Sequence, residues 1–550
     1  MAINLVLGRA RDGKSAKVYK KIIEKSLENP DKSYFVIVPE QFTMQTQLEL
    51  VQLHPNKGIS NIDVLSFMRL AYRVFQQQGG MQKTVLEDTG KSMLVRRVIE
   101  EKQEQLKVFK NYAKKPGYVS EIKSLLSEFY QYEIKQEKMK EMLAVAKDNQ
   151  PMLQRKLEDM QVVYEGFEEL LAEKYITAEE ILDVLTGSLE QYDVLKNTTI
   201  VLDGYTGFTP VQYKLLRKLM KLCEEIIVTI TIDPFEKEVY QKQEFSLFHL
   251  SRETVNKLKR IAEEEGVPCK ESKVKEWKEE GSSYLACLEE NLYRFSVQPY
   301  EAYCKRKGVK QEIEQDIAFF AARTIEGEVS YAIREIKHLI QKKGYRYRDI
   351  AIVTGDMEQY GRLLEKACRE EKIPCFIDYK KDILGNPLVE FLRTVLQLFV
   401  RNFDYESVFR YLRCGLADMD LEQVDILENY VLAMGIKGYS RWNKEWDRVF
   451  EKDCREEEEK KNKLEGYNAL RVQFISSFEN LRTVFSKREQ TIRQYVTALH
   501  AFMLEQGIYQ KLKAYERKFE AQGERMLAKE YAQVYELVLG IFDKLVDFIG

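Results

Sequence analysis

Hydrophobic and polar positions follow two different periods along this chain, and the switches between them mark out its domains. Over the first 80 residues short apolar runs at 5–7, 34–38 and 62–65 predict strands separated by helical segments, an α/β pattern. From about residue 85 to 191 the strand-like runs vanish. Charged stretches with apolar residues three and four apart, such as Ile122, Leu125, Leu126, Phe129 and Tyr130, predict an all-helical block instead. The strand signal returns at 198–202 and 226–232. One α/β domain is therefore expected at 1–84 and 192–300, interrupted by a helical insertion at 85–191.

A charged stretch, about 264–283, reads as a connection to a second α/β unit at 301–385. Its expected strands lie at 317–320, 350–353 and 375–377, with a helix over roughly 328–342. After Asn386-Pro387 nearly everything reads as helix, giving a second helical insertion at 386–550. The pattern stops inside the apolar helix 541–547, which predicts that a longer protein continues past this chain.

Size and composition narrow the function classes. A chain of 550 residues is too long for a single core, and 32% charged residues with 11 prolines describe a helix-rich protein with many solvated faces. A net charge of −2 gives no global attraction for nucleic acid, so any such contact rests on local patches. The eight cysteines contain no C-x-x-C pair, and the four histidines stand far apart in sequence. Neither set suggests a disulfide framework or a zinc site, and a reducing, cytoplasmic compartment is expected. No apolar run approaches the ~20 residues of a membrane span, so no membrane partner is expected.

The chemistry-bearing motif is Gly8-Arg9-Ala10-Arg11-Asp12-Gly13-Lys14-Ser15, which fits G-x-x-x-x-G-K-[ST] between an apolar run and a helical stretch. In such a loop backbone N–H groups curl around phosphate at a helix N-terminus. Lys14 would reach the terminal phosphates of ATP, and Ser15 would ligate Mg²⁺. The second metal-holding candidate is Asp203, at the end of the apolar run 200–202. In a P-loop ATPase a Glu beside that Asp positions the attacking water. Here Gly204 follows. Phosphate and metal are expected to bind, water activation lacks its carboxylate, and no catalytic residue is assigned.

The wider motif set resembles the UvrD/Rep-like DNA helicases of superfamily one. Asp203, Pro210 and Gln212 fall in register with their D-E-x-Q-D-[TS]-x-P-x-Q motif, while Gly204, Thr206 and Gly207 replace its catalytic and polar positions. Thr231-Ile232-Asp233-Pro234 stands where the γ-phosphate-sensing Gln is expected. Narrower still is the resemblance to AddB-type subunits of AddAB helicase–nucleases, which covers essentially the whole chain. It is carried by Pro39-Glu40-Gln41, Ser66-Phe67-Met68-Arg69-Leu70-Ala71, Asp203-Gly204-Tyr205-Thr206-Gly207-Phe208-Thr209-Pro210 and the later segments at 373–378, 386–390 and 427–438.

That resemblance implies a P-loop NTPase fold with two RecA-like helicase domains, each carrying a helical insertion. It implies an AddA-like motor–nuclease partner in a heterodimer acting on single- and double-stranded DNA ends during break repair. The scaffold would lack a working motor and would read the recombination hotspot Chi in the emerging single strand. The family's contacting positions, carried over by motif, fall on Gln41, Thr43, Arg69, Tyr72 and Phe208. The side chains suit the task. Gln41 and Arg69 offer forks to base edges, Thr43 a hydroxyl, and Tyr72 and Phe208 stacking faces. The family's nuclease and iron–sulfur cluster are expected only outside this chain. Two other readings stay open: an active DNA-dependent ATPase or helicase, and a structural component in which ATP only stabilises the fold.

Overall fold

The computed structural model describes residues 1–80, 83–112, 115–147, 151–235, 244–274, 283–294, 297–311, 317–377, 383–449, 457–487 and 489–549. They form two compact units, Met1–Ala318 and Phe319–Gly550.

The first unit is built on a parallel sheet. β1 (Ala2–Gly8), β2 (Ser33–Ile37), β3 (Ile62–Leu65), β6 (Thr198–Leu202), β7 (Glu225–Thr231) and β8 (Cys269–Lys273) lie in the order β3-β2-β6-β7-β1-β8. Every pairing is parallel. Helices cover both faces, so the inner strands are apolar without alternation and β6 is buried at all five positions. The connecting helices α1 (Lys14–Glu28), α2 (Thr43–Leu53) and α3 (Phe67–Gln77) each start just past the C-terminal end of a strand. That arrangement puts the ends of β1, β2, β3 and β6 along one crevice, where open α/β sheets bind ligands.

The stretch read as a charged connection contains β8, which pairs with β1 from Ile3↔Cys269 to Leu7↔Lys273. Its five residues are exposed, and a polar edge strand leaves no hydrophobic period to read. The block at 85–191 is largely helical, as the spacing predicts, with α4 (Asp88–Glu101), α5 (Pro116–Gln131) and α6 (Pro151–Lys174) as its main members. A short parallel pair that the apolar pattern does not suggest, β4 (Thr84–Leu86) with β5 (Tyr175–Thr177), closes its base. Gly166 lets α6 approach α4: a Cβ there would stand 2.7 Å from Val98 Cγ1. Buried Asp159 accepts the backbone N–H groups of Lys107, Val108 and Phe109 at 2.7–2.8 Å and ties down the loop after α4. Beyond β8 the first unit continues into the short helix α7 (Ser283–Asn291).

In the second unit α8 (Ile325–Lys343) and α9 (Met357–Glu370) pack through Val329, Ile333, Ile336, Leu364 and Cys368. The helix expected near 328–342 is present. The three strands expected around it are not: 317–320, 350–353 and 375–377 carry no ladder hydrogen bonds among the described residues. Their β-branched and aromatic residues favour extended backbone, but a strand also needs a neighbour for its N–H and C=O groups. Val353 and Phe376 are correspondingly about 90% exposed (93% and 89%). From Pro387–Val400 to Arg525–Ile549 the unit is helical, around a core that includes Phe391, Trp442, Phe478 and Phe502. No helix among the described residues is long and apolar enough to cross a membrane.

Candidate functional site

Residues 9–13 turn the chain from β1 into α1. The turn is tight. A Cβ on Gly8 would stand 3.1 Å from both Lys14 Cγ and the carbonyl oxygen of Val274. Arg11 and Gly13 are both left-handed, with φ of 67° and 80°. Such alternation aims successive N–H groups into one concavity, the geometry that holds anions. Lys14 is 8% exposed and its Nζ donates to the Arg9 carbonyl at 2.6 Å. Burial lowers its pKa, an effect opposed by the charges of Asp12 and Asp203.

Asp12 Oδ2 accepts the Arg9 N–H at 2.6 Å, while its Oδ1 is buried without a hydrogen-bond partner. The Arg9 guanidinium donates to Glu289 on α7 at 2.8 Å. Burial raises the Glu289 pKa and Arg9 opposes the rise.

Asp203 meets the loop from the end of β6. Ser15 Oγ donates to its Oδ1 at 3.0 Å across 188 residues of sequence, and the Tyr19 hydroxyl donates to Oδ2 at 2.6 Å. Thr229 on β7 donates a third hydroxyl. Tyr19 and Thr229 carry no motif signal, so this part of the site is not legible in the sequence. The Tyr19 pKa is raised, first by burial and then by Asp203. A raised phenol pKa favours the folded, protonated form. Its contribution is intact below about pH 10 and is lost as pH climbs above that. Tyr19→Phe is therefore expected to flatten part of the decline in thermal midpoint between about pH 10 and 11, followed by circular dichroism. An unchanged alkaline slope would show that Tyr19 does not carry it.

Position 204 supplies no carboxylate. Gly204 has φ 79°, and a Cβ there would pack 3.6 Å from Pro39 Cδ. Another carboxylate that senses the Asp203 charge is Glu49 on α2, whose pKa is raised by burial and then by Asp203.

The expected DNA-contacting residues divide by exposure. Gln41 and Tyr72 are exposed, and Gln41 lines a shallow groove with Met44, Gln45 and Leu48. Thr43 is buried and donates its hydroxyl to the Glu40 carbonyl at 2.9 Å, a helix-entry role. Phe208 is half-buried in a chain of rings: Phe67–Tyr205 at 5.4 Å, Tyr205–Phe208 at 5.3 Å and Phe208–Tyr213 at 5.6 Å. Arg69 pairs with Glu40 at 3.5 Å, while Asp63 pairs with Arg73. Glu40, Ser66 and Tyr205 receive no role from the motifs, yet they bridge the ends of β2, β3 and β6.

A family model described as ADDB, N-terminal, matches residues 5–289. The chain is 41% identical over its full length to the B component of the ATP-dependent helicase/deoxyribonuclease of Lachnoclostridium phytofermentans, covering 47% of that protein. It is 32% identical to the proteins of the same description in Clostridium acetobutylicum and Acetivibrio thermocellus, again covering all of this chain and 47% of each relative. The chain thus spans about half the length of the curated relatives it matches.

Proposed function

The chain belongs to the ADDB N-terminal family, and from that premise we propose that it is the nucleotide-binding, DNA-contacting part of the B component of an ATP-dependent helicase/deoxyribonuclease. The sheet order, with the glycine loop after β1 and Asp203 two strands away, supports a RecA-like, P-loop assignment for the first unit. Lys14, Ser15 and Asp203 fit ATP and Mg²⁺. The buried ammonium would face phosphate, the hydroxyl and carboxylate would hold the metal, and the loop N–H groups would orient the phosphate oxygens. Bound MgATP would supply the charged triphosphate that closes these groups together.

The observation that carries the reading is Gly204. The residue after Asp203 has no side chain with which to orient water, so nucleotide stabilises the scaffold rather than driving it. Translocation then falls to an AddA-type motor partner, and this chain contacts the single strand at broken DNA ends and reads the Chi hotspot. Gln41, Arg69, Tyr72 and Phe208 supply the surface along the strand ends, with Thr43 setting the entry into α2. The intact Lys14–Ser15–Asp203 set favours a second reading, an active ATPase; turnover separates the two.

Arg69→Ala and Phe208→Ala are each expected to weaken binding of a labelled single strand by about tenfold, the scale of one lost stacking or base-edge contact. Fluorescence anisotropy measures this, with unchanged circular dichroism as the folding control. Wild-type affinity in both variants would remove the single-strand assignment.

A further inference from the structure

Glu40 is an acidic group on the face assigned to a polyanion. Its Oε2 accepts the Ser66 hydroxyl at 2.9 Å, and its Oε1 lies 3.5 Å from Arg69 Nε. Ser66 is buried and caps α3, its hydroxyl oxygen also accepting the Arg69 N–H at 3.3 Å. The carboxylate is thus held from one side by a fixed helix cap. Its own side chain is 63% exposed and that of Arg69 55%, so both remain open to a ligand.

Resting on the single-strand reading above, we propose that Glu40 is a specificity-determining residue that selects guanine in the bound strand. A carboxylate repels phosphate, so the part of a nucleotide that approaches it is the base edge. Bases splayed from a single strand expose their Watson–Crick edges. Guanine alone presents two adjacent donors there, N1–H and the N2 amino group, matching the two oxygens of a carboxylate that accepts but does not donate. Adenine and cytosine place a ring-nitrogen acceptor beside their amino donor. Thymine flanks its single N–H with two carbonyl oxygens. Each of those three sets a lone pair against the carboxylate.

Arg69 is the positioning partner. Its guanidinium offsets the negative charge toward the DNA backbone and keeps the carboxylate from turning into solvent. A purely structural Glu40 would do no more than fasten α3 to the end of β2. Glu40→Gln keeps the size and the acceptor for Ser66, but its amide replaces one acceptor with a donor.

The test uses the full chain and labelled oligothymidylates carrying isolated guanines, with hypoxanthine substituted for guanine in a matched set. Hypoxanthine lacks only the N2 amino donor. The wild-type chain is expected to bind the guanine strands on the order of tenfold more tightly than the hypoxanthine strands. Glu40→Gln is expected to lose that difference while binding plain oligothymidylate at least as well as wild type. Guanine preference retained in Glu40→Gln would overturn the proposal. So would equal wild-type affinity for all strands with binding still dependent on Arg69, which leaves the single-strand reading standing. Wild-type chain that binds none of the strands would overturn that reading itself.

Discussion

Lys14→Ala is expected to lower the affinity for MgATP by on the order of a hundredfold to a thousandfold while the fold persists. The ammonium is buried beneath its own loop and already stripped of most of its water. Two unit charges about 4 Å apart interact by about 4 kcal/mol at an effective dielectric of about 20, and each 1.4 kcal/mol is a factor of about ten. That sets about three decades as the ceiling. The nearby Asp12 and Asp203 offset part of the charge, so the lower end is included. Lys14→Arg is expected to recover little of the loss. The Lys14 Nζ donates to the Arg9 carbonyl at 2.6 Å from a buried site, and a larger, planar guanidinium is not a like-for-like replacement for that compact ammonium. Titration calorimetry measures both variants. Near-wild-type affinity in Lys14→Ala would show that the loop is not the nucleotide site.

Lys91→Ala is expected to destabilise the helical block by about 3–5 kcal/mol, the scale for removing one partner of a buried ion pair. Lys91 on α4 sends its Nζ to both carboxylate oxygens of Glu179 at 2.8 and 2.6 Å and lies 3.2 Å from Ser127 Oγ on α5. The side chains are only 4% and 13% exposed, so the truncated variant strands a carboxylate away from water. Pairing Lys91→Met with Glu179→Gln removes both charges and is expected to restore most of the loss. Hydrogen exchange of the amides at 85–191 reads the change locally. A single-variant loss under about 1 kcal/mol would place the pair in the class of solvent-screened bridges.

Five of the six strands in the main sheet are visible in the sequence because buried parallel strands are continuous apolar runs. β8 is hidden for the opposite reason, since its hydrogen bonds go to β1 while its side chains are polar. In the second unit the apolar runs suggest strands but do not reveal that their backbone groups lack a ladder among the described residues. The glycine loop is legible because its spacing within one short segment is distinctive, and Asp203 because it ends an apolar run, while the hydrogen bond that joins Ser15 to Asp203 across 188 residues comes from the fold. Tyr19 and Thr229 are not. They reach Asp203 only through the packing of α1 and the register of β7, which no local pattern records. Glu40 reads in the sequence as one more acidic residue, and only the fold brings Ser66 and Arg69 to hold it.

In the proposed reading Gly204 makes this chain a nucleotide-stabilised scaffold rather than a motor, and one paired measurement tests that directly: MgATP affinity and ATP turnover on the same sample, with and without single-stranded DNA, against Lys14→Ala. The expected result is binding that depends on Lys14, with turnover that DNA does not raise above the Lys14→Ala level. DNA-stimulated hydrolysis well above that level would contradict it and make this chain an ATPase in its own right.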